Sequence, residues 1–137
     1  GVNAINGVNP VGRELATNDI TAKQNAKEAA ITGNSKLSEP EKTKAKDEVK
    51  KAADRAREAI KNATNQAGVD TAQREGVNAI NGVNPVGREL ATNDITAKQN
   101  AKEAAITGNS KLSEPEKTKA KDEVKKAADR AREAIKN

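Results

Sequence analysis

The chain repeats itself: residues 1–62 recur without a change as residues 76–137, an offset of 75. Residues 63–75 (ATNQAGVDTAQRE) complete the single full unit. Self-similarity at a fixed period marks a repeat array, in which each unit is one supersecondary element stacked on its neighbours. Two identical copies point to recent duplication and to a parent protein with more of them.

The residues that are missing narrow the chemistry. The chain contains no His, Cys, Met, Phe, Trp or Tyr. It therefore has no thiol nucleophile, no imidazole base and no His or Cys ligand for zinc, copper or haem. It also has no aromatic platform for stacking bases. Zero cysteine argues against a disulfide-stapled secreted module and fits a reducing cytosol or a Gram-positive surface. No apolar run approaches the roughly 18–20 residues that cross a bilayer. No signal peptide or anchoring motif is visible in the sequence, as expected of a fragment. Much of the apolar content is alanine, so each unit has a thin core and closely spaced helices.

The net charge is +5. Residues 1–62 carry 12 basic and 9 acidic groups, and residues 63–75 carry one net negative charge. A full unit is thus only +2, with the signs interspersed as on a solvated helix face.

Three helical segments are read along one unit. The first runs from about Ala16 to Thr32, with Leu15, Ala22, Ala26, Ala29 and Ala30 near one face and Ile20 and Ile31 at its margin. Gly33-Asn34 reads as a left-handed helix stop. The second opens on Ser38-Glu39-Pro40-Glu41, which has the form of a capping box with Pro in the first turn. Its stripe is Ala45, Val49, Ala52, Ala56, Ala59, Ile60 and Ala63 at spacings of three and four. Glu48–Lys51, Asp54–Arg57 and Glu58–Lys61 lie one turn apart on its outer faces. The third runs from about Val69 to Gly82 with the stripe Val69, Ala72, Gly76, Ile80 and Val83. Asn65 is its expected N-cap, with Gly68 as the alternative. Gly76 costs about 1 kcal/mol against Ala in a helix interior. It marks either close approach of a neighbouring helix or a bend. Asn84-Pro85 ends or redirects the chain, and Pro85-Val86-Gly87 either starts the next helix or forms a short linker.

No single amphipathic helix buries its own stripe, so the three are expected to pack as a left-handed bundle. An odd number of antiparallel helices brings the chain in at one end and out at the other. The expected fold class is all-α, with tandem three-helix bundles stacked end to end into an elongated rod. Residues 1–15 are read as the tail of a preceding repeat plus linker, and 16–83 as a complete three-helix repeat. Residues 84–137 are read as a second repeat lacking its third helix.

Candidate sites are weak. The carboxylate pairs Asp47/Glu48 and Glu39/Glu41 could serve acid–base chemistry in a pocket, but they sit in Lys-rich helical surroundings without apolar bulk. Gly7, Gly12 and Gly33 are scattered and make no phosphate loop. Asn62-Ala63-Thr64 matches a glycosylation sequon, a short pattern. The basic run Lys42–Lys51 is interrupted by Asp47 and Glu48 and lacks aromatic residues, unlike a nucleic-acid site. No catalytic, cofactor-binding or metal-binding residue is expected.

The strings EKTKAKDEVKKAADRAREAIKNATN, AGVDTAQREGVNAINGVNP and AKQNAKEAAI, over residues 41–65, 67–85 and 22–31, carry a family likeness. They resemble the tandem helical repeat of unknown function in Gram-positive cell-wall-anchored surface proteins of the Ebh, FmtB/Mrp and SasC type. The likeness covers the whole chain. Its most telling part is the series of Ala63-Thr64-Asn65, Val69-Asp70, Ala72, Gly76, Ala79-Ile80-Asn81 and Pro85. Gly68 departs from it, standing where relatives often carry an acidic residue. The resemblance implies a surface-exposed repeat that spaces an adhesive domain from the wall, and it supplies no catalytic residues. The expected function is a non-enzymatic stalk in adhesion or biofilm formation, extracellular and anchored through other regions. Its expected partners are neighbouring repeats and host extracellular or cell-wall components, without nucleic acid or membrane insertion. The alternative is a helical module that itself binds a host matrix or serum protein. Binding hot spots favour Trp, Tyr and Arg, and only Arg is present, at 13, 55, 57, 74, 88, 130 and 132.

Overall fold

The computed structural model describes all 137 residues. It contains six helices and no strand: α1 (Val2–Asn6), α2 (Glu14–Thr32), α3 (Glu39–Asn62), α4 (Gln66–Asn81), α5 (Glu89–Thr107) and α6 (Glu114–Lys136). The fold is all-α. The chain divides into two compact units, one of Gly1–Asn34 with Glu39–Pro85 and one of Ser35–Ser38 with Val86–Asn137.

In the first unit α2, α3 and α4 each pack on the other two. The core is a thin stack of small and β-branched side chains. Ile20, Val49, Ile60, Val69 and Ile80 are its largest fully enclosed members, joined by Ala16, Ile31, Ala45, Ala52, Ala53, Ala56 and Ala72. The α3 stripe falls where the three-and-four spacing puts it, with three differences: Ala59 is exposed, Ala53 is buried, and Ala63 lies past the helix end and is half-buried. Two neighbours lie against α3, so the apolar arc widens past one stripe to take in Ala53. α4 buries Val69, Ala72, Gly76 and Ile80.

α2 departs from its expected face. Leu15, Ala22, Ala26, Ala29 and Ala30 are exposed, Leu15 at 83%. Ile20 and Ile31, read as marginal, lie in the core with Ala16. The inward face runs through Ala16, Ile20, Gln24, Lys27, Glu28 and Ile31, and its three polar members are half-buried. Alanine is nearly neutral between water and core, so four exposed alanines cost little. Two isoleucines carry most of the transfer free energy, at about 25 cal/mol per Å².

Helix ends are closed locally. Gly33 ends α2 at φ −83°, ψ 0°, not in the left-handed region, and no residue of the chain has positive φ. Its N–H donates to Ala29 O at 3.0 Å and that of Asn34 to Ile31 O at 3.1 Å. These bonds tighten the last turn and use the terminal carbonyls without a left-handed residue. Asn65 caps α4, its side chain accepting from Gly68 N–H at 2.8 Å. The capping box is complete at Ser113 and Glu116, and Glu114-Pro115 follow the cap. At the equivalent first-copy position, Ser38 donates to the Glu89 carboxylate at 2.9 Å. Residues 83–88 are non-helical, so Pro85-Val86-Gly87 forms a linker.

In the second unit α5 packs on α6. The hairpin keeps the cross-helix contacts of α2 on α3. Arg132 reaches Gln99, Thr96 and Asp129 as Arg57 reaches Gln24, Thr21 and Asp54.

Candidate functional site

Helices α2, α3 and α4 of the first unit approach one another closely at Gly76. A Cβ built there would overlap the Ala56 Cβ and come within 2.9 Å of Ile20 Cδ1. Three helices thus converge on one residue without a side chain. Close approach of a neighbouring helix is the reason for this glycine, and α4 runs unbroken through it.

Polar contacts clamp the two ends of the unit. At one end the Arg13 guanidinium donates from Nε to Ile60 O at 3.1 Å and from Nη2 to Ala63 O. The last carbonyls of α3 lack helical partners, and a cation beside them also meets the negative end of the helix dipole. The Gln66 side-chain amide pairs with the Gly12 backbone there, accepting from its N–H at 2.7 Å and donating to its carbonyl at 3.2 Å. At the other end Lys27 Nζ donates to Asn81 O at 3.3 Å, and Lys46 Nζ to Thr32 Oγ1 at 3.2 Å. Hence the start of α2, the end of α3 and the start of α4 meet at one end, and the ends of α2 and α4 meet at the other. The backbone enters at Gly12 and leaves at Asn81, on opposite sides of the unit.

Between the clamps, Asp19 accepts from Lys23 at 2.7 Å and from Gln73 at 2.9 Å, tying α2 to α4. Those two donors hold its carboxyl below the usual aspartate value. On α3, Lys50 at 2.8 Å and Arg57 at 3.0 Å share Asp54. The bond from Lys50 lowers the Asp54 carboxyl, and the same bond raises the Lys50 ammonium. The pair Lys125–Asp129 repeats this in α6. In the capping box, the Ser113 backbone N–H lowers the Glu116 carboxyl.

The candidate residues scatter over these surfaces. Asp47 is exposed and bonded to Lys51 at 2.9 Å. Lys51 thus pairs with the Asp47 four residues before it, not with the Glu48 three before it. Glu48 is exposed, Glu39 is exposed beside Lys42 at 3.5 Å, and Glu41 is half-buried. The structure brings neither carboxylate pair into an apolar pocket. In the basic run, Lys42, Lys46, Lys50 and Lys51 each turn to a partner on their own helix or on α2. The sequon residue Asn62 is exposed and donates to Glu58 at 3.3 Å. No cluster of three His, Cys, Asp or Glu side chains has metal-binding geometry. No helix is long and apolar enough to cross a membrane. The sequence does not reveal the Arg13 clamp, because its partners stand 47 and 50 residues away and no local pattern links them.

In the second unit the face between α5 and α6 is open. Ile95, Val124, Ala127, Ala128 and Ala131 line a groove of about 270 Å³.

No curated protein and no solved structure matches the chain at a significant level. The family match starts at Arg13, which clamps α2 to α3, and stops at Arg88, its equivalent one period later. Residues 13–88, more than half of the chain, match the family described as Domain of Unknown Function (DUF1542), and the chain belongs to that family.

Proposed function

We propose that the chain is a structural spacer, a run of tandem three-helix repeats stacked end to end as part of the stalk of a bacterial cell-surface protein. The observation that carries this reading is the placement of the unit's entry and exit. Gly12 lies at the end clamped by Arg13 and Gln66, and Asn81 at the end reached by Lys27. A unit entered at one end and left at the other adds its length to the next. The family match spans one period, from Arg13 to Arg88, which fits α2–α4 as the recurring unit. The family is known from Gram-positive surface proteins. In that setting the stalk projects an adhesive domain from the cell wall, in adhesion or biofilm formation, and belongs to the Ebh, FmtB/Mrp and SasC type of repeat. The spacer is not an enzyme and works through geometry alone.

Binding of a host protein by the repeat itself is the rival. Arg13 and Arg57, two of the side chains suited to anchoring a partner, are engaged within their own unit, which favours the spacer. The test is retention of serum and matrix proteins on an immobilised three-copy chain. A spacer retains nothing above a scrambled-sequence control. Saturable capture of one host protein, lost on surface Arg substitution, would replace this reading with the rival.

A further inference from the structure

Ser35–Ser38 stand in sequence between α2 and α3, yet they pack with Val86–Asn137 as part of the second unit. The head of α5 holds them there. A Cβ built at Gly87 would overlap the Lys36 carbonyl oxygen and come within 2.8 Å of the carbonyl carbon. Those are backbone atoms, so no change of rotamer makes room. Gly87 does not have positive φ, so the glycine serves close approach and not an unusual backbone. Two residues on, the Glu89 carboxylate accepts from the Ser38 hydroxyl at 2.9 Å, and Ser38 is buried. Leu37, between the two contacts, is buried as well. Arg88 serves its own repeat: its Nε donates to Ile135 O at 3.0 Å, as that of Arg13 does to Ile60 O. The tripeptide Gly87-Arg88-Glu89 thus grips Lys36–Ser38 with its outer residues and its own helix pair with the middle one.

We propose that the α2–α3 loop of each repeat is the receiving site for the head of the next repeat, with Gly-Arg-Glu as the latch. Chemistry specifies the occupant. It must offer a residue without a side chain over the Lys36 carbonyl and, two positions on, a carboxylate for the Ser38 hydroxyl. The same tripeptide heads the first unit as Gly12-Arg13-Glu14, and the same loop recurs as Ser110–Ser113, so the period carries both halves of the joint. Each repeat then shields the loop of its predecessor, and successive repeats are coupled in stability as nearest neighbours. The latch rests on the tandem-repeat reading, but its test reads one peptide bond, so it can fail while the array still lengthens with every repeat.

Trypsin reads the latch at Lys36–Leu37. Residues 108–115 repeat 33–40 without a change, so Lys111–Leu112 is an identical site in the same chain. There Leu112 is half-buried and Ser113 exposed. Limited digestion of the full chain, followed by mass spectrometry, should show Lys36–Leu37 cut at least about tenfold more slowly than Lys111–Leu112, because cutting needs local opening. Gly87→Ala forces the latch apart and should bring the two rates within about threefold of each other. Glu89→Ala should speed cutting at Lys36–Leu37 by about threefold or more. Gly12→Ala is the control: a Cβ there meets only the Gln66 side chain, at an ordinary 3.4 Å, and both rates should stay as they are. An unchanged rate at Lys111–Leu112 shows that the α5–α6 hairpin stays folded. If Gly87→Ala raises that rate too, Glu89→Ala decides. The proposal is overturned by equal rates at the two sites in the unaltered chain. It is equally overturned if Gly87→Ala, with the hairpin folded, or Glu89→Ala leaves Lys36–Leu37 cut as slowly as before, or if Gly12→Ala speeds it as much as Gly87→Ala.

Discussion

Gly76 on α4 faces Ala56 on α3 so closely that the smallest side chain added at Gly76 would overlap the Ala56 methyl. Alanine favours a helix interior over glycine by about 1 kcal/mol, and overpacking a filled core costs about 1–3 kcal/mol. The clash is with α3 and with Ile20 of α2 together, so packing should win. Gly76→Ala is expected to lower the melting temperature of the first unit, read by circular dichroism. A rise in melting temperature would show that the helices can move apart without loss.

The internal repeat supplies a control for burial. Ala52 is buried at 4% exposure, while Ala127, the same residue one period on, is exposed. Ala52→Asp puts an unpaired carboxylate in the seam and should cost about 3 kcal/mol or more, enough to unfold its unit. Ala127→Asp and Lys51→Asp should each change stability by less than about 1 kcal/mol. Thermal melts of the three variants check this. Equal losses for Ala52→Asp and Lys51→Asp would mean that the phase of α3 is wrong.

Asn65 caps the start of α4, its side chain accepting from Gly68 N–H. Asn65→Ala should lower stability by about 1 kcal/mol, and Asn65→Asp should largely preserve it, because Asp caps as well as Asn. Chemical denaturation of the three chains measures the difference.

Acid should weaken the fold. Asp19, Asp54, Asp129 and Glu116 all have carboxyls lowered in the folded chain by bonds to their ionised forms. The stability they supply is complete above the ordinary values, 3.8 for Asp and 4.5 for Glu. It is lost as pH falls through the lowered ones. Lys50 and Lys125 are raised. Their contribution is complete below 10.5 and fades as pH rises through the raised values. Melting temperature should therefore fall between about pH 4 and pH 2, and Asp19→Asn should remove part of that fall. A flat melting curve across this range would contradict the assignment.

How much of this was legible in the sequence differs by helix. α3 and α4 carry Val49, Ile60, Val69 and Ile80 on faces marked by a regular period, and their phases read correctly. The Asn65 cap and the close approach at Gly76 were legible for the same reason, as local chemistry with a single use. α2 was misread because its five alanines carry almost no transfer free energy, and its true inward face includes Gln24, Lys27 and Glu28. Such a face is chosen by the helices packed against it. The Arg13 clamp and the Asp19–Gln73 bond span 47 to 54 residues, so they exist only once the helices are assembled.

The central claim is that repeats add length. α3 has 24 residues, about 36 Å at 1.5 Å per residue, so each added unit should extend the chain by about 35–50 Å. Small-angle scattering on chains of two, four and six repeats measures the maximum dimension directly. The spacer account predicts a nearly linear rise at that increment. A maximum dimension that levels off as repeats are added would contradict it.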